Sequence, residues 1–204
     1  AFYDMVPVLS WLFLKGRCRY CRAPVSIQYP AVELLTASAF ILCLLSKGPG
    51  MGSAIMCMFS GILITAAFID ARHMYIPDGI HVLILLLSCI SLAAGSAPSL
   101  MNRLGGSLLT GGFLALVNLL SRGGVGWGDV KLFAASGLLI GAAPAMTALL
   151  MGYVTAGLWY AVPLLRGRVG RKTQIPMAPF FAVSLMICGL WFRQLLLWYL
   201  GFFR

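Results

Sequence analysis

Residues 61–70 read GILITAAFID, so nine uncharged residues run without a break into Asp70. The apolar segment extends back to residue 51, and runs of about 20 apolar residues are typical of membrane-spanning helices. A carboxylate attached to such a helix is unusual, because an ionised Asp at the bilayer centre costs roughly 3 kcal/mol on insertion scales. The stretch therefore predicts a membrane helix that ends in a candidate functional group.

Composition extends this interpretation to the whole chain. The 204 residues are 61% hydrophobic, with a mean hydropathy of +0.95, which is more apolar surface than a soluble core buries. The net charge of +10 is also compatible with nucleic-acid binding, but the basic residues fall in short loops instead of forming one stripe. We therefore predict an integral membrane protein that contacts membrane lipids and no nucleic acid.

The apolar segments predict an all-α, polytopic helical bundle with about seven membrane segments. They span residues 30–46, 51–69, 79–95, 105–120, 130–142, 145–165 and 177–201. Residues 1–29 are polar and basic, which predicts a short cytosolic segment without a cleavable signal peptide. The first residue is Ala1, as expected of a processed or partial product. We expect two units, residues 1–29 and a transmembrane domain over residues 30–204.

Loop charges predict the orientation of the bundle. Alternate loops hold eleven Lys and Arg residues on one side: Lys15, Arg17, Arg19, Arg22, Arg72, Arg122, Lys131, Arg166, Arg168, Arg171 and Lys172. The other side holds four: Lys47, Arg103, Arg193 and Arg204. Because short cytoplasmic loops carry the excess of Lys and Arg, the side with eleven is expected to be cytoplasmic.

A second aspartate is expected at the same end of the bundle as Asp70. Asp129 ends the motif Gly126-Trp127-Gly128-Asp129 and begins the fifth segment. Two crossings separate it from Asp70, so both carboxylates should lie at the cytoplasmic end. Gly126 and Gly128 lack a Cβ, which allows close approach and gives access to positive φ.

Structural roles for these aspartates stay open at this point. Asp129 is also placed to cap its own helix. A structural Asp70 is harder to explain, because the helix dipole disfavours an anion at a helix C-terminus. Asp78 precedes the next apolar run in Pro77-Asp78-Gly79, and we expect it to be an N-cap.

Two nearby carboxylates suit the hydrolysis of a peptide bond. They cannot both ionise easily, so one acts as general base on water while the other, protonated, polarises the carbonyl. No Ser/His or Cys/His alternative presents itself, since His73 and His81 are the only histidines. An ion- or proton-coupled transporter that uses intramembrane carboxylates, and a non-catalytic scaffold for pilus or secretion assembly, are the alternatives.

Small residues are concentrated at the start of the fourth segment. Residues 105–112 read GGSLLTGG, and such residues let membrane helices approach closely. We expect a close helix contact here, either as ordinary packing or as a means of bringing the two Asp-bearing segments together.

Six motifs, in order, resemble type IV prepilin peptidases, bacterial members of the Gly-x-Gly-Asp intramembrane aspartyl proteases. They are residues 7–11 (PVLSW), 16–21 (GRCRYC), 29–35 (YPAVELL), Asp70 with 76–78 (IPD), 126–132 (GWGDVKL) and 175–180 (IPMAPF). The resemblance implies that Asp70 and Asp129 are the catalytic pair, supported by Gly126, Gly128 and Lys131. It also implies a prepilin or pseudopilin substrate, cleaved at the cytoplasmic face of the bacterial inner membrane.

The resemblance implies further properties of the N-terminal third. Many members methylate the new N-terminus with S-adenosylmethionine, and Glu33 matches the family pattern. Glu33, in the first turn of a helix starting at Pro30, has either a structural role, with the helix dipole or in a hydrogen-bond network, or a part in substrate or methyl-donor binding.

Cys18 and Cys21 form the only CxxC in the chain. Typical members of the family have another CxxC and another membrane segment ahead of this one. Cys18 and Cys21 are therefore half of a structural zinc site, or they are free thiols or a disulfide. Lys131 either pairs with a carboxylate or extends to the lipid headgroups, and residues 166–172 are a positive loop or a recognition surface.

Overall fold

The computed structural model describes residues 8–95, 98–167 and 174–202. Its elements are helical: α1 (Leu9–Phe13), α2 (Gln28–Lys47), α3 (Met51–His73), α4 (Asp78–Ala93), α5 (Leu100–Ser107), a π-helical turn (Leu108–Gly112), α6 (Phe113–Leu120), α7 (Trp127–Ile140), α8 (Ala142–Leu165) and α9 (Ala178–Gly201). The all-helical prediction is confirmed. Arg168, Arg171, Lys172 and Arg204, which belong to the loop-charge argument, lie outside the described residues.

Five helical stretches are long and apolar enough to span a membrane: α2, α3, residues 100–120, α8 and α9. The other two segments are shorter, because α4 has 16 residues and α7 has 14. At 1.5 Å per residue, α7 is roughly 21 Å long, against a hydrocarbon core of about 30 Å. The seven-segment count is thus an approximate description of this bundle.

Helix packing connects the two Asp-bearing helices indirectly. Helix α3 packs against α2, α4 and α9, whereas α7 packs against α4, α5, the π-helical turn and α8. Helix α4 contacts both α3 and α7, and α9 bridges α3 and α8. The arrangement around Asp70 and Asp129 therefore depends on α4 and α9.

The contact expected of the small-residue segment is confirmed, and it involves the Asp129 helix. A Cβ built on Gly106 would lie 2.5 Å from the carbonyl oxygen of Gly137 in α7, and one on Gly111 would lie 2.6 Å from the Cβ of Ala134. The hydroxyl of Thr110 donates to the carbonyl oxygens of Gly106, at 2.7 Å, and Phe133, at 3.0 Å. This backbone-level contact positions α7 in the bundle.

The sequence predicts Arg103 in a loop, but the structure does not place it there. It lies inside α5, is only 2% exposed, and donates to the carbonyl oxygens of Pro98 and Leu138 and to the hydroxyl of Ser91. These bonds connect α5 to α4 and α7, so Arg103 has a structural role in the bundle interior.

Candidate active site at the ends of α3 and α7

Asp70 and Asp129 line one cavity of about 750 Å³. Its wall includes the chain after α3, the 123–129 loop, Tyr153 of α8 and the residues before α9. The two carboxylates are near enough for their charges to interact. The structure thus brings to one place the two groups that the sequence predicts at one end of the bundle.

Asp70 lies in the last turn of α3 and is 7% exposed. Its Oδ2 accepts a hydrogen bond of 2.8 Å from the backbone N–H of Ala178, the first residue of α9. The carboxylate is therefore at the C-terminus of one helix and at the N-terminus of another. Because a helix N-terminus favours an anion, the 24-residue α9 compensates for the unfavourable position on α3.

The chain turns sharply just after Asp70. Met74 adopts the left-handed conformation, with φ 56° and ψ 34°, and its N–H donates to the carbonyl oxygen of Asp70 at 2.8 Å. This cap ends α3 and directs residues 74–77 along the cavity wall.

Asp129 is the third residue of α7. The N-cap position belongs to Gly126, and no side chain caps this helix, so the capping alternative for Asp129 is wrong. Among the residues that the structure describes, its carboxylate oxygens have no hydrogen-bond partner. They are available for a water molecule or a substrate group in the cavity.

Of the two motif glycines, only Gly128 is in a tighter than ordinary contact, and neither is needed for positive φ. Gly126 has φ −65°, and neither Gly126 nor Gly128 is among the positive-φ residues, so the expected use of positive φ is wrong. A Cβ on Gly126 would lie 3.4 Å from Oδ2 of Asp129, and one on Gly128 would lie 3.3 Å from the Cβ of Ile76. Gly128 thus lets the segment after Asp70 pack against the start of α7.

Asn118 of α6, 3% exposed, anchors the loop that leads to Asp129. In the amide orientation that satisfies both partners, its nitrogen donates to the carbonyl oxygen of Val125 at 2.7 Å. Its oxygen accepts from Nε1 of Trp127 at 3.2 Å. Sequence reasoning missed this residue, although a single Asn in an apolar segment is a signal of a buried polar contact.

Lys131 pairs with a carboxylate, which resolves its two alternatives. Its Nζ lies 2.7 Å from Oδ1 of Asp78, so the ion pair connects the start of α4 to α7. Asp78 is the first residue of α4, after the N-cap Pro77, and makes no capping bond, so its expected N-cap role is wrong. His81, one turn further on, is 5% exposed, with Nε2 3.1 Å from the carbonyl oxygen of Gly128.

Glu33 lies away from this cavity. Helix α2 begins at Gln28, two residues before Pro30, so Glu33 is beyond the first turn and the expected dipole role is wrong. Its Oε2 accepts a hydrogen bond of 2.8 Å from the backbone N–H of Val8. Glu33 thereby connects α2 to the N-terminal segment.

Cys18 and Cys21 lie in a tight turn of the N-terminal segment. The N–H of Cys18 donates to the carbonyl oxygen of Ala23, and that of Arg22 donates to the carbonyl oxygen of Cys18. Cys18 is half-buried, Cys21 is exposed, and an isolated antiparallel bridge pairs Arg17 with Pro24. Across the described ranges, no group of three or more His, Cys, Asp or Glu is placed to hold a metal ion. The two thiols match half of a tetrahedral thiolate set.

Tyr153 is a second cavity residue that sequence reasoning missed. It lies near Asp129, and its ring packs edge-on against Phe181 at 5.2 Å, which in turn packs on Phe133 at 4.9 Å. A Tyr inside an apolar helix has no spacing signal that assigns it to a cavity. Only the packing of α8 on α7 and α9 places it there.

These features define a class: a polytopic helical membrane protein with two carboxylates from separate helices at one cavity. The bacterial peptidase A24 N-terminal domain matches residues 1–47, and the type IV leader peptidase family matches residues 57–161. The chain belongs to the type IV leader peptidase family.

Curated relatives agree with this assignment. A prepilin leader peptidase/N-methyltransferase of Aeromonas hydrophila is 34% identical, over 97% of this chain and 70% of the relative. Its counterpart in Bacillus subtilis is 30% identical, over 97% and 79%. A type 4 prepilin-like proteins leader peptide-processing enzyme of Escherichia coli O78:H11 is 39% identical, over 89% and 68%. No solved structure matches the chain.

Proposed function

We propose that this protein is an aspartic endopeptidase that removes leader peptides from type IV prepilins or pseudopilins, with Asp70 and Asp129 as its catalytic residues. The main support is that these two carboxylates, from α3 and α7, line one cavity close enough to interact. The names of the relatives supply the substrate class.

The proposed reaction uses one proton shared by the pair. The ionised carboxylate takes a proton from water, whose oxygen attacks the carbonyl carbon of the scissile bond. The protonated carboxyl donates to the carbonyl oxygen, and a proton then passes to the leaving nitrogen as the C–N bond breaks. The products are a leader with a free carboxylate and a mature protein with a free amine.

The two carboxylates differ in how they are held. The Oδ2 of Asp70 is held by the N–H of Ala178, whereas Asp129 has no partner among the described residues. We propose that Asp70 is a fixed part of the site and that Asp129 adjusts when substrate and water enter.

The site is proposed to open to the cytoplasm from the bacterial inner membrane. Eleven of the fifteen Lys and Arg residues fall in the loops that the sequence predicts on the side of Asp70 and Asp129, or at the adjoining helix ends, as Arg72 of α3 and Lys131 of α7 do. By the positive-inside rule that side is cytoplasmic. Lys47 ends α2 and Arg72 lies near the end of α3, so the two residues should be on opposite sides of the membrane. Cysteine accessibility measured at these two positions in intact cells tests this orientation.

Methylation of the new N-terminus by S-adenosylmethionine is a second proposed activity. Its support is the word N-methyltransferase in the names of the relatives, together with the position of Glu33 in the family pattern. We expect the native protein to transfer a labelled methyl group to the cleaved product. We expect Glu33→Gln to lose this transfer while it continues to cleave. Unchanged transfer in that variant would remove Glu33 from the proposal.

Structural zinc is a third proposal, limited to Cys18 and Cys21. Their Cys-x-x-Cys spacing in the sequence suits two positions of a tetrahedral site, and no group of three or more potential metal ligands occurs among the described residues. Metal analysis of the purified chain tests this. The proposal is supported if the native chain contains zinc and Cys18→Ser does not. It is contradicted if the native chain contains no zinc.

Cleavage in lipid vesicles tests the main proposal. The purified chain is incubated with a prepilin, and the rate of leader release is compared for the native protein, Asp70→Asn, Asp129→Asn and Asp78→Asn. We expect no cleavage from the first two variants and measurable turnover from the third, a carboxylate on the same side but outside the cavity wall. Cleavage by Asp70→Asn or Asp129→Asn would contradict the assignment.

Two further assays, one in the same vesicles and one in cells, distinguish the alternatives. An ion- or proton-coupled transporter would show aspartate-dependent flux in the absence of any peptide. An assembly scaffold would tolerate both aspartate substitutions in a cellular pilus or secretion assay.

A further inference from the structure

A cluster beside the proposed active site has no role in the reaction as described above. It consists of Asp78 and His81 of α4 with Gly128 and Lys131 of α7, and is called here the α4–α7 clamp. The members from α7 lie on either side of Asp129 in sequence.

Helix α4 holds the first turn of α7 at two points. The ring Nε2 of His81 is 3.1 Å from the carbonyl oxygen of Gly128, and the Nζ of Lys131 is 2.7 Å from Oδ1 of Asp78. Because a carbonyl oxygen only accepts, Nε2 carries the hydrogen in this contact.

The ring is not bonded as a purely structural histidine would be. Its Nδ1 is buried and has no hydrogen-bond partner among the described residues, and the nearest charged oxygen, Oδ1 of Asp78, is 3.6 Å away. A buried polar atom without a partner lowers stability relative to an apolar side chain. The polar contact that the ring supplies is therefore the Nε2 bond to Gly128, at the start of α7.

The clamp also connects Asp129 to the other carboxylate. Asp78 follows Asp70 after the left-handed turn at Met74, and Ile76 in that connection packs against Gly128. A shift of α4 relative to α7 would consequently change the separation of Asp70 and Asp129.

We propose that His81 is a positioning residue, which, together with the ion pair of Asp78 and Lys131, holds Asp129 at its working distance from Asp70. This inference rests on the proposed protease function. A misplacement of about 1 Å can reduce a rate by about 100-fold, so the clamp affects kcat without contacting the substrate.

A matched pair of substitutions tests the proposal in the vesicle assay. The amide nitrogen of Gln reaches the position of Nε2, whereas that of Asn reaches only the position of Nδ1. We expect His81→Gln to retain kcat within about 3-fold, and His81→Asn to lose about 10- to 100-fold in kcat with KM unchanged. Full kcat in His81→Asn, or an equal loss in both variants, would overturn the proposal.

The exposed half of the clamp gives a test that does not depend on the folding of the histidine variants. Lys131 is 51% exposed, so Lys131→Gln should have the same Tm as the native protein. We expect it to lower kcat by about 3- to 10-fold with KM unchanged, and an unchanged kcat would contradict the clamp. If Asp70→Asn and Asp129→Asn also cleave, the assignment of these two carboxylates as the catalytic pair fails. If they do not cleave and His81→Asn does so fully, only the positioning role fails.

Discussion

Gly106→Ala provides a quantitative test of the contact between α5 and α7. A Cβ at this position would lie 2.5 Å from the carbonyl oxygen of Gly137, 2.7 Å from the carbonyl carbon of Gly141 and 2.9 Å from the nitrogen of Ala142. Ordinary contacts to a Cβ begin at 3.4 Å. Since all three are backbone atoms, no side chain can rotate away, and the helices must separate by about 1 Å.

The expected cost follows from this geometry. Overpacking a tight contact costs about 1–3 kcal/mol, and three backbone clashes place Gly106→Ala at the upper end of that range. The better helix propensity of Ala returns about 1 kcal/mol. The net loss is about 2 kcal/mol, equivalent to a fall of roughly 4–8 °C in Tm for a chain of this size.

The neighbouring glycine is the control for this substitution. A Cβ on Gly105 would meet only the Cβ of Ala142, at 3.9 Å, so Gly105→Ala should keep or slightly raise Tm. Thermal unfolding of both variants in detergent micelles, followed by tryptophan fluorescence, provides the comparison. A Tm for Gly106→Ala at or above the native value, or an equal fall in Gly105→Ala, would refute the packing argument.

Substitutions at three other positions have expected outcomes. Asp70→Asn keeps an acceptor for the N–H of Ala178 and should fold natively, whereas Asp70→Ala should lose about 1 kcal/mol of stability, which thermal melting measures. Both variants should be inactive in the leader-release assay. Asn118→Ala leaves the indole N–H of Trp127 and a carbonyl unpaired, so we expect a loss of about 2 kcal/mol and slower cleavage, measured by denaturant titration and initial rates. Arg103→Met removes three hydrogen bonds inside the bundle and should lower Tm by several degrees in a melting experiment, and a raised Tm would show that burial of the charge costs more than its bonds return.

The helices of this protein are largely predictable from local sequence. The expected segment 79–95 corresponds to α4, Asp78–Ala93, and 51–69 corresponds to the larger part of α3, Met51–His73. Apolar run length determines such segments because an uninterrupted run must satisfy its backbone hydrogen bonds internally in a membrane. The break between α7 and α8 lies earlier than the expected gap at residues 143–144, because Gly141, at φ 87°, ends α7.

Capping roles were less predictable. Glu33 was expected in a first turn and Asp78 at an N-cap, but each helix starts at a different residue from the one its sequence suggests. A cap depends on which backbone N–H is the first without a partner, and shifts of one or two residues reassign it.

The sequence by itself determined that the chain is a helical membrane protein, that it belongs to its family, and that Asp70 and Asp129 face the same end. These conclusions need only apolar run lengths, motif order and the number of crossings between the two residues. The tertiary structure decided what surrounds each carboxylate. Asp70 is unfavourable on its own helix and is stabilised by the N-terminus of α9, 108 residues away in sequence. That compensation depends on a contact between distant backbone groups, which no local pattern of residues encodes.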